Sequence, residues 1–176
     1  RTAFAAAITV EIADPAWRRA LPRARAHARE AVRAALGVAH VAPARSPALE
    51  IAIKLSCDRE MRTLNRVWRG RDRATNVLAF PLDRTGSPVL VGPVLLGDVV
   101  LAYGTVAAEA RAAGLDLASH VSHLIVHGVL HLLGHDHRSA AQFRRMAALE
   151  TAALGRLAIA DPYRRKPQAP RRRHAA

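Results

Sequence analysis

The sequence predicts one α/β (α+β) domain in which a small mixed sheet of about four strands is packed with about five helices. Three observations lead there. Stretches of two-residue apolar period, the mark of a half-buried strand, take turns along the chain with stretches of helical period that stop at glycines. About half of the 176 residues are hydrophobic (51%), enough to fill one core of this size. No internal repeat divides the chain, and residues 1–163 read as a single domain followed by a basic tail, 164–176, expected to be disordered.

In "ITVEIAD", Ile8, Val10 and Ile12 alternate with polar residues and predict a first strand. "PAWRRALPRARAHAREAVRAALG" predicts a helix closed by Gly37, with Pro22 either dividing it or marking its start. "VAHVAPARSPA" reads as a loop, and "LEIAIKLS" as a second alternating strand through Leu49, Ile51, Ile53 and Leu55. Asp58 is a suitable N-cap for a helix running to Gly70. "TNVLAFP" and "LLGDVVLAYG" predict two more strands on either side of the turn-rich "LDRTGSPVLVGP". "TVAAEARAAG" and "LDLASHVSHLIVHGVLHLLG" predict two helices, each ended by glycine, and "SAAQFRRMAALETAALGRLA" predicts the last.

No run of about 18 uncharged apolar residues occurs, which argues against a membrane span. The first residues lack the apolar region of a signal peptide, so a cytoplasmic location is expected. The lone cysteine, Cys57, excludes an internal disulfide. Net charge is +13, and every basic residue except Lys54 and Lys166 is arginine. The tail holds six of the positive charges, yet the body stays basic without them. Such a surface suits a polyanionic partner, above all nucleic acid.

The chemistry concentrates in "HGVLHLLGHDH", residues 127–137. His127 and His131 are spaced i, i+4, so a helix aims both rings at one point. Gly134 then turns the chain sharply, which swings His137 back toward the pair. Three imidazoles with an open fourth position are the usual catalytic zinc arrangement, whereas a structural site closes with a fourth ligand and often uses cysteine. His123, one turn earlier on the same face, is expected to support the site or face substrate, and Asp136 to orient a ligand ring or cap the turn. The spacing is that of the long metzincin zinc signature, but Gly128 stands where that signature has its general-base glutamate, a position that faces the cleft there.

"HGVLHLLGHDH" resembles the signature of the YbeY family, bacterial metal-dependent endoribonucleases of ribosomal RNA maturation. "LNRVWRGRDRATNVLAFP" (64–81), "LLGDVVLA" and "ALETAALGRLAIADPY" are similar to three further blocks of that family, so the likeness runs from about residue 49 to 163. The resemblance implies a sheet-and-helix fold with a zincin-like metal helix, a Zn2+ site on His127, His131 and His137, and a functional arginine at Arg69. It also implies single-stranded ribosomal RNA as substrate, cut at the 3′ end of the small-subunit RNA and in ribosome quality control, with the small subunit or its proteins as partners.

Arg59, Arg62, Arg66 and Arg69 fall on one helical stripe, and Met61, Leu64 and Trp68 on an apolar one. The first three arginines are expected to hold RNA phosphates, and Arg69 to serve catalysis. Aromatics make up only 4% of the chain, so base stacking is expected to contribute little. His135, Asp136 and Asp98 are candidate general bases, and the RNA 2′-hydroxyl a candidate nucleophile. Two alternatives remain: an RNA-binding assembly factor whose metal only braces the fold, and a metzincin-like peptidase. A nuclease needs a positive cleft, a peptidase an open sheet edge.

Overall fold

A computed structural model of the chain describes residues 6–39, 49–82 and 94–163. In order these form β1 (Ala6–Ile12), α1 (Pro15–Ala20), α2 (Ala24–Val38), β2 (Leu49–Ser56), α3 (Asp58–Arg69), β3 (Val77–Pro81), β4 (Val94–Ala102), α4 (Tyr103–Ala113), α5 (Leu117–Leu132) and α6 (Ala140–Arg156). The predicted tail, most of the first predicted loop and most of the turn-rich stretch before β4 lie outside the described residues. Six helices replace the expected five because the first one is two. Leu21 N–H closes α1 on the Trp17 carbonyl at 2.8 Å, and Pro22, which has no N–H to donate, separates it from α2. Gly37 lies inside α2 rather than ending it.

The four strands make the expected mixed sheet, in the order β1-β2-β4-β3. β1, β2 and β4 run parallel, and β3 pairs antiparallel with β4 at the edge. Alternation divides the apolar residues between two faces. Ile51, Ile53 and Leu55 of β2 and Val99 and Leu101 of β4 point into the main core, with residues of α2, α5 and α6. Leu78 of β3 and Val100 and Ala102 of β4 join Met61 of α3 in a smaller cluster on the other face. β4 bulges where its register to β2 shifts between Glu50 and Ile51. There Gly97 takes φ 134°, and a Cβ would run into the Phe80 carbonyl of the neighbouring strand.

α5 carries the histidines and is packed on three sides, against α2, α6 and the sheet. Asp116 caps it by accepting from Ser119 N–H at 2.9 Å. Its other end closes as Gly134 predicts. Gly134 takes φ 87°, its N–H bonds to the His131 carbonyl, and His135 N–H reaches back to Leu130 O at 3.0 Å. Five residues of irregular chain, 135–139, then lead into α6, whose start is a reciprocal capping box between Ser139 and Gln142.

Gly128 borders the histidine cleft with its backbone, but a Cβ there would lie 2.6 Å from Val99 Cγ1, so a side chain at this position would meet the sheet. The missing side chain lets the α5 backbone settle directly onto β4. Gly128→Ala is therefore expected to destabilise the protein by about 1–3 kcal/mol through overpacking against a stiff, fully buried valine. Adding Val99→Ala should recover part of that loss. Urea melts of the four proteins of this cycle measure both, and an unchanged midpoint for Gly128→Ala would overturn the close-packing account.

Candidate metal centre

His127 and His131 face one another one turn apart on α5, with Nε2 atoms 3.1 Å apart. His137, carried back by the Gly134 turn, completes a cluster in which one ligand atom from each ring lies within 4.8 Å of the other two. Bonds of about 2.0–2.1 Å to a tetrahedral zinc place nitrogens roughly 3.3 Å from each other. The helical pair already has that spacing. His137, with its side chain 49% exposed, lies with its ring centroid 5.1 Å from that of His131.

The support for this cluster comes from a residue that sequence reasoning did not single out. Glu150 of α6 is fully buried, and its carboxylate accepts from His127 Nδ1 at 2.8 Å, His123 Nε2 at 2.9 Å and the Tyr163 hydroxyl at 2.5 Å. Donation from Nδ1 fixes the tautomer of His127, leaving the Nε2 lone pair turned to the cluster. His123 thus sits behind the three clustered histidines, supporting the carboxylate. Burial works to raise the Glu150 pKa, but the hydrogen bonds from His123, His127 and Tyr163 outweigh it and hold the group down at about 2. The one available signal was position: Glu150 is a lone acid on the buried stripe that Met146, Ala153 and Leu154 mark on α6.

Burial, with His127 and His137 beside it, pushes the His131 pKa from 6.5 down to about 4. The ring is neutral near pH 7, as a metal ligand must be. Asp136 bonds the His137 backbone N–H at 2.7 Å and pairs with Arg138 at 2.7 Å, so it caps the turn; its contact to the His137 ring is a distant 3.9 Å.

The three histidines open onto a cleft of about 760 Å³ whose far wall includes Arg69, Arg71 and Asn76. Arg69 is the last residue of α3, and Gly70 turns the chain there at φ 66°. Asn65, 2% exposed, holds the following loop: its Nδ2 donates to Arg73 O at 2.7 Å and its carbonyl accepts from Arg71 N–H. The wall at Asn76 is fixed from behind by Glu109, which takes Asn76 Nδ2 at 3.0 Å and His120 Nε2 at 3.0 Å.

The arginine stripe divides. Arg62 is committed to a bidentate pair with Asp72 (2.8 and 2.7 Å), Arg59 lines a separate pocket with Cys57 and Glu60, and Arg66 is exposed one turn before Arg69. The apolar stripe is buried along only part of its length. Met61 is buried and Leu64 half-buried, but Trp68 is 67% exposed at the sheet's edge strand β3, where Phe80 is its one aromatic neighbour among the described residues. Asp98 is exposed, alternates with Val99 onto the face away from α5, and is absent from the cleft wall; His135 lines the cleft.

Residues 14–158 match the protein family described as Endoribonuclease YbeY. A protein of Paramagnetospirillum magneticum with that name is 48% identical over 158 residues, covering 89% of this chain and 94% of its own. One from Sphingopyxis alaskensis is 47% identical over 146 residues (78% and 86%), and one from Rhodospirillum rubrum 41% over 174 (92% and 84%). The solution structure of a Thermotoga maritima protein shares the fold, with a TM-score of 0.50 at 22% identity over 90% of this chain and 99% of that one.

Glu150→Gln should lower zinc affinity about 10- to 100-fold, read by competition with a chromophoric chelator, because the amide no longer holds the Nδ1 proton of His127 as a charged acceptor does. In metal-free protein the depressed pKa of His131 means that the unfolded chain binds more protons between pH 6.5 and about 4. Stability should therefore fall as pH drops through that window, seen as a declining Tm. A flat Tm between those limits would contradict the burial of the ring.

Proposed function

This chain belongs to the YbeY endoribonuclease family, and from that membership we propose that it is a zinc-dependent endoribonuclease cutting single-stranded ribosomal RNA in the cytoplasm. The finer reading is maturation of the 3′ end of the small-subunit RNA and ribosome quality control, in company with the small subunit or its proteins. One observation carries the chemistry: three histidine nitrogens gathered on one point face Arg69 and Arg71 across the same cleft.

The donor set fits zinc, with His127, His131 and His137 as ligands and a place left for water or substrate. A zinc ion held there supplies Lewis acidity, which neutralises phosphodiester charge and acidifies water. The chain's own groups do the rest. Arg69, always protonated, donates to the nonbridging phosphate oxygens and offsets the charge that grows in the transition state. Arg71 adds a second cation to the same wall, and Arg66 continues the phosphate path; Arg62, which must exchange Asp72 for a phosphate, and Arg59, beside a separate pocket, extend it along α3. His135 is the candidate placed in the cleft to accept a proton, since Asp136 is engaged by Arg138 and Asp98 lies on the other face.

The edge strand β3 runs along the cleft, an arrangement that a peptidase would use to pair its substrate. Against that use stand the basic wall, the absence of a carboxylate at Gly128 and the lack of room for one beside Val99. The nuclease reading accounts for the arginines as well as the histidines.

Metal-loaded protein should cleave a single-stranded RNA and leave a duplex intact, and chelation should abolish the cleavage. Arg69→Ala is expected to lower turnover on the order of 10²-fold or more with a smaller loss of affinity. Cleavage that survives chelation, together with equal losses of binding and turnover in Arg69→Ala, would replace this reading with that of an RNA-binding assembly factor.

A further inference from the structure

Trp68 immediately precedes the arginine assigned to the phosphate, and the core does not use it. Its side chain is 67% exposed, while Asn65 fills the buried position on that side of α3. The indole meets Phe80 edge-to-face with ring centroids 5.7 Å apart. Phe80 lies between Ala79 and Pro81, two residues of β3 that line the metal cleft, and it points to the opposite face of the strand. The aromatic pair is thus separated from the cleft by the thickness of one edge strand, with Arg69 at the corner between them.

The neighbouring chain is mainly cationic, although the exposed Asp98 pairs with Phe80 across the β3–β4 ladder on the same face. Arg66, Arg69, Arg71 and Arg73 are all exposed and make no ion pair among the described residues, whereas Arg62 is neutralised by Asp72. An exposed flat ring among uncompensated guanidiniums suits a ligand that carries negative charge and π-faces together, which describes single-stranded nucleic acid. A purely apolar partner would leave those cations unmatched, and a duplex keeps its bases stacked on each other.

We propose that Trp68, braced by Phe80, stacks on a nucleobase of the RNA strand next to the phosphodiester held in the metal cleft. The strand leaves the histidines past Arg69 and crosses the edge of β3, where a base lies against the indole. This contact rests on the endoribonuclease reading and adds to it a residue that selects unpaired over paired RNA. Stacking involves no counterion release, so it strengthens binding without changing the salt dependence.

The protein itself supplies the probe, since its second tryptophan, Trp17, is fully buried and serves as an internal reference. Oligoribonucleotides of about eight nucleotides, oligo-uridine and oligo-adenosine, would be mixed with metal-loaded protein in a stopped-flow fluorimeter and read before turnover, beside a hairpin duplex. Single strands are expected to quench Trp68 emission, oligo-adenosine more strongly than oligo-uridine, and the duplex to leave it unchanged. Trp68→Ala should weaken single-strand affinity about 5- to 100-fold with the same salt slope, and Trp68→Phe should restore most of it. Binding with unaltered emission and undiminished affinity in Trp68→Ala overturns the stacking contact while the endoribonuclease reading stands. If the wild type neither binds nor cleaves single strands, that underlying reading fails instead. Emission that depends on protein concentration without RNA, joined to normal RNA affinity in Trp68→Ala, would assign the patch to a second copy of the chain and overturn the proposal.

Discussion

A carboxylate with no access to water dominates the half of the molecule that holds the histidines. Glu150 can remain ionised in the core only because two imidazoles of α5 and the Tyr163 hydroxyl all donate to it, since an unpaired buried charge costs several kcal/mol. Satisfying that charge fixes the position of α6 against α5 and ties the chain beyond α6 to the same point. It also decides which nitrogen of His127 keeps a proton, and hence which one is free for a metal. A stability requirement and a functional one are met by the same three hydrogen bonds.

The opposite wall of the cleft is organised by neutral amides. Asn65 holds the loop after Arg69 through its side chain and its backbone, and Asn76 is held between Glu109 and the Val77 N–H. Neither amide is itself charged, so the guanidiniums of Arg69 and Arg71 keep their charge for a ligand. Where the chain does place an acid within reach, at Asp72, the cation affected is Arg62, farther from the histidines along α3. On this wall positive charge is thus neutralised at Arg62 and left without an ion pair at Arg69 and Arg71, while on the histidine side Arg138 is paired with Asp136, a distribution that suits an anionic ligand on the arginine wall.

The two walls meet because of how α5 rests on the sheet. Gly128 allows a backbone-to-side-chain approach to Val99 that a methyl group would prevent, and the antiparallel edge strand β3 then forms the floor between the histidines and the arginines. The same edge gives Trp68 a single aromatic neighbour among the described residues, and a residue that belongs by periodicity to the apolar stripe of α3 ends at the surface.

Local patterns determined much of this by themselves. The two-residue alternation of β1 and β2, the helix stop at Gly134 and the i, i+4 histidine pair with His137 beyond the turn are set by backbone geometry within about ten residues, so they can be read from the chain directly. Pro22 splits the first helix for an equally local reason. The rest required distant residues to meet. Glu150 gains its role from His127, 23 positions earlier, and Asn76 is braced by Glu109, 33 positions later. Gly128 does border the cleft, but the spacing of a motif records order and not how closely the sheet will approach, so the contact that bars a side chain there could not be read from it. Trp68 shares the apolar stripe of Met61 and Leu64 yet lies exposed, since periodicity tells which residues share a face and only the assembled sheet decides where that face runs out of partners.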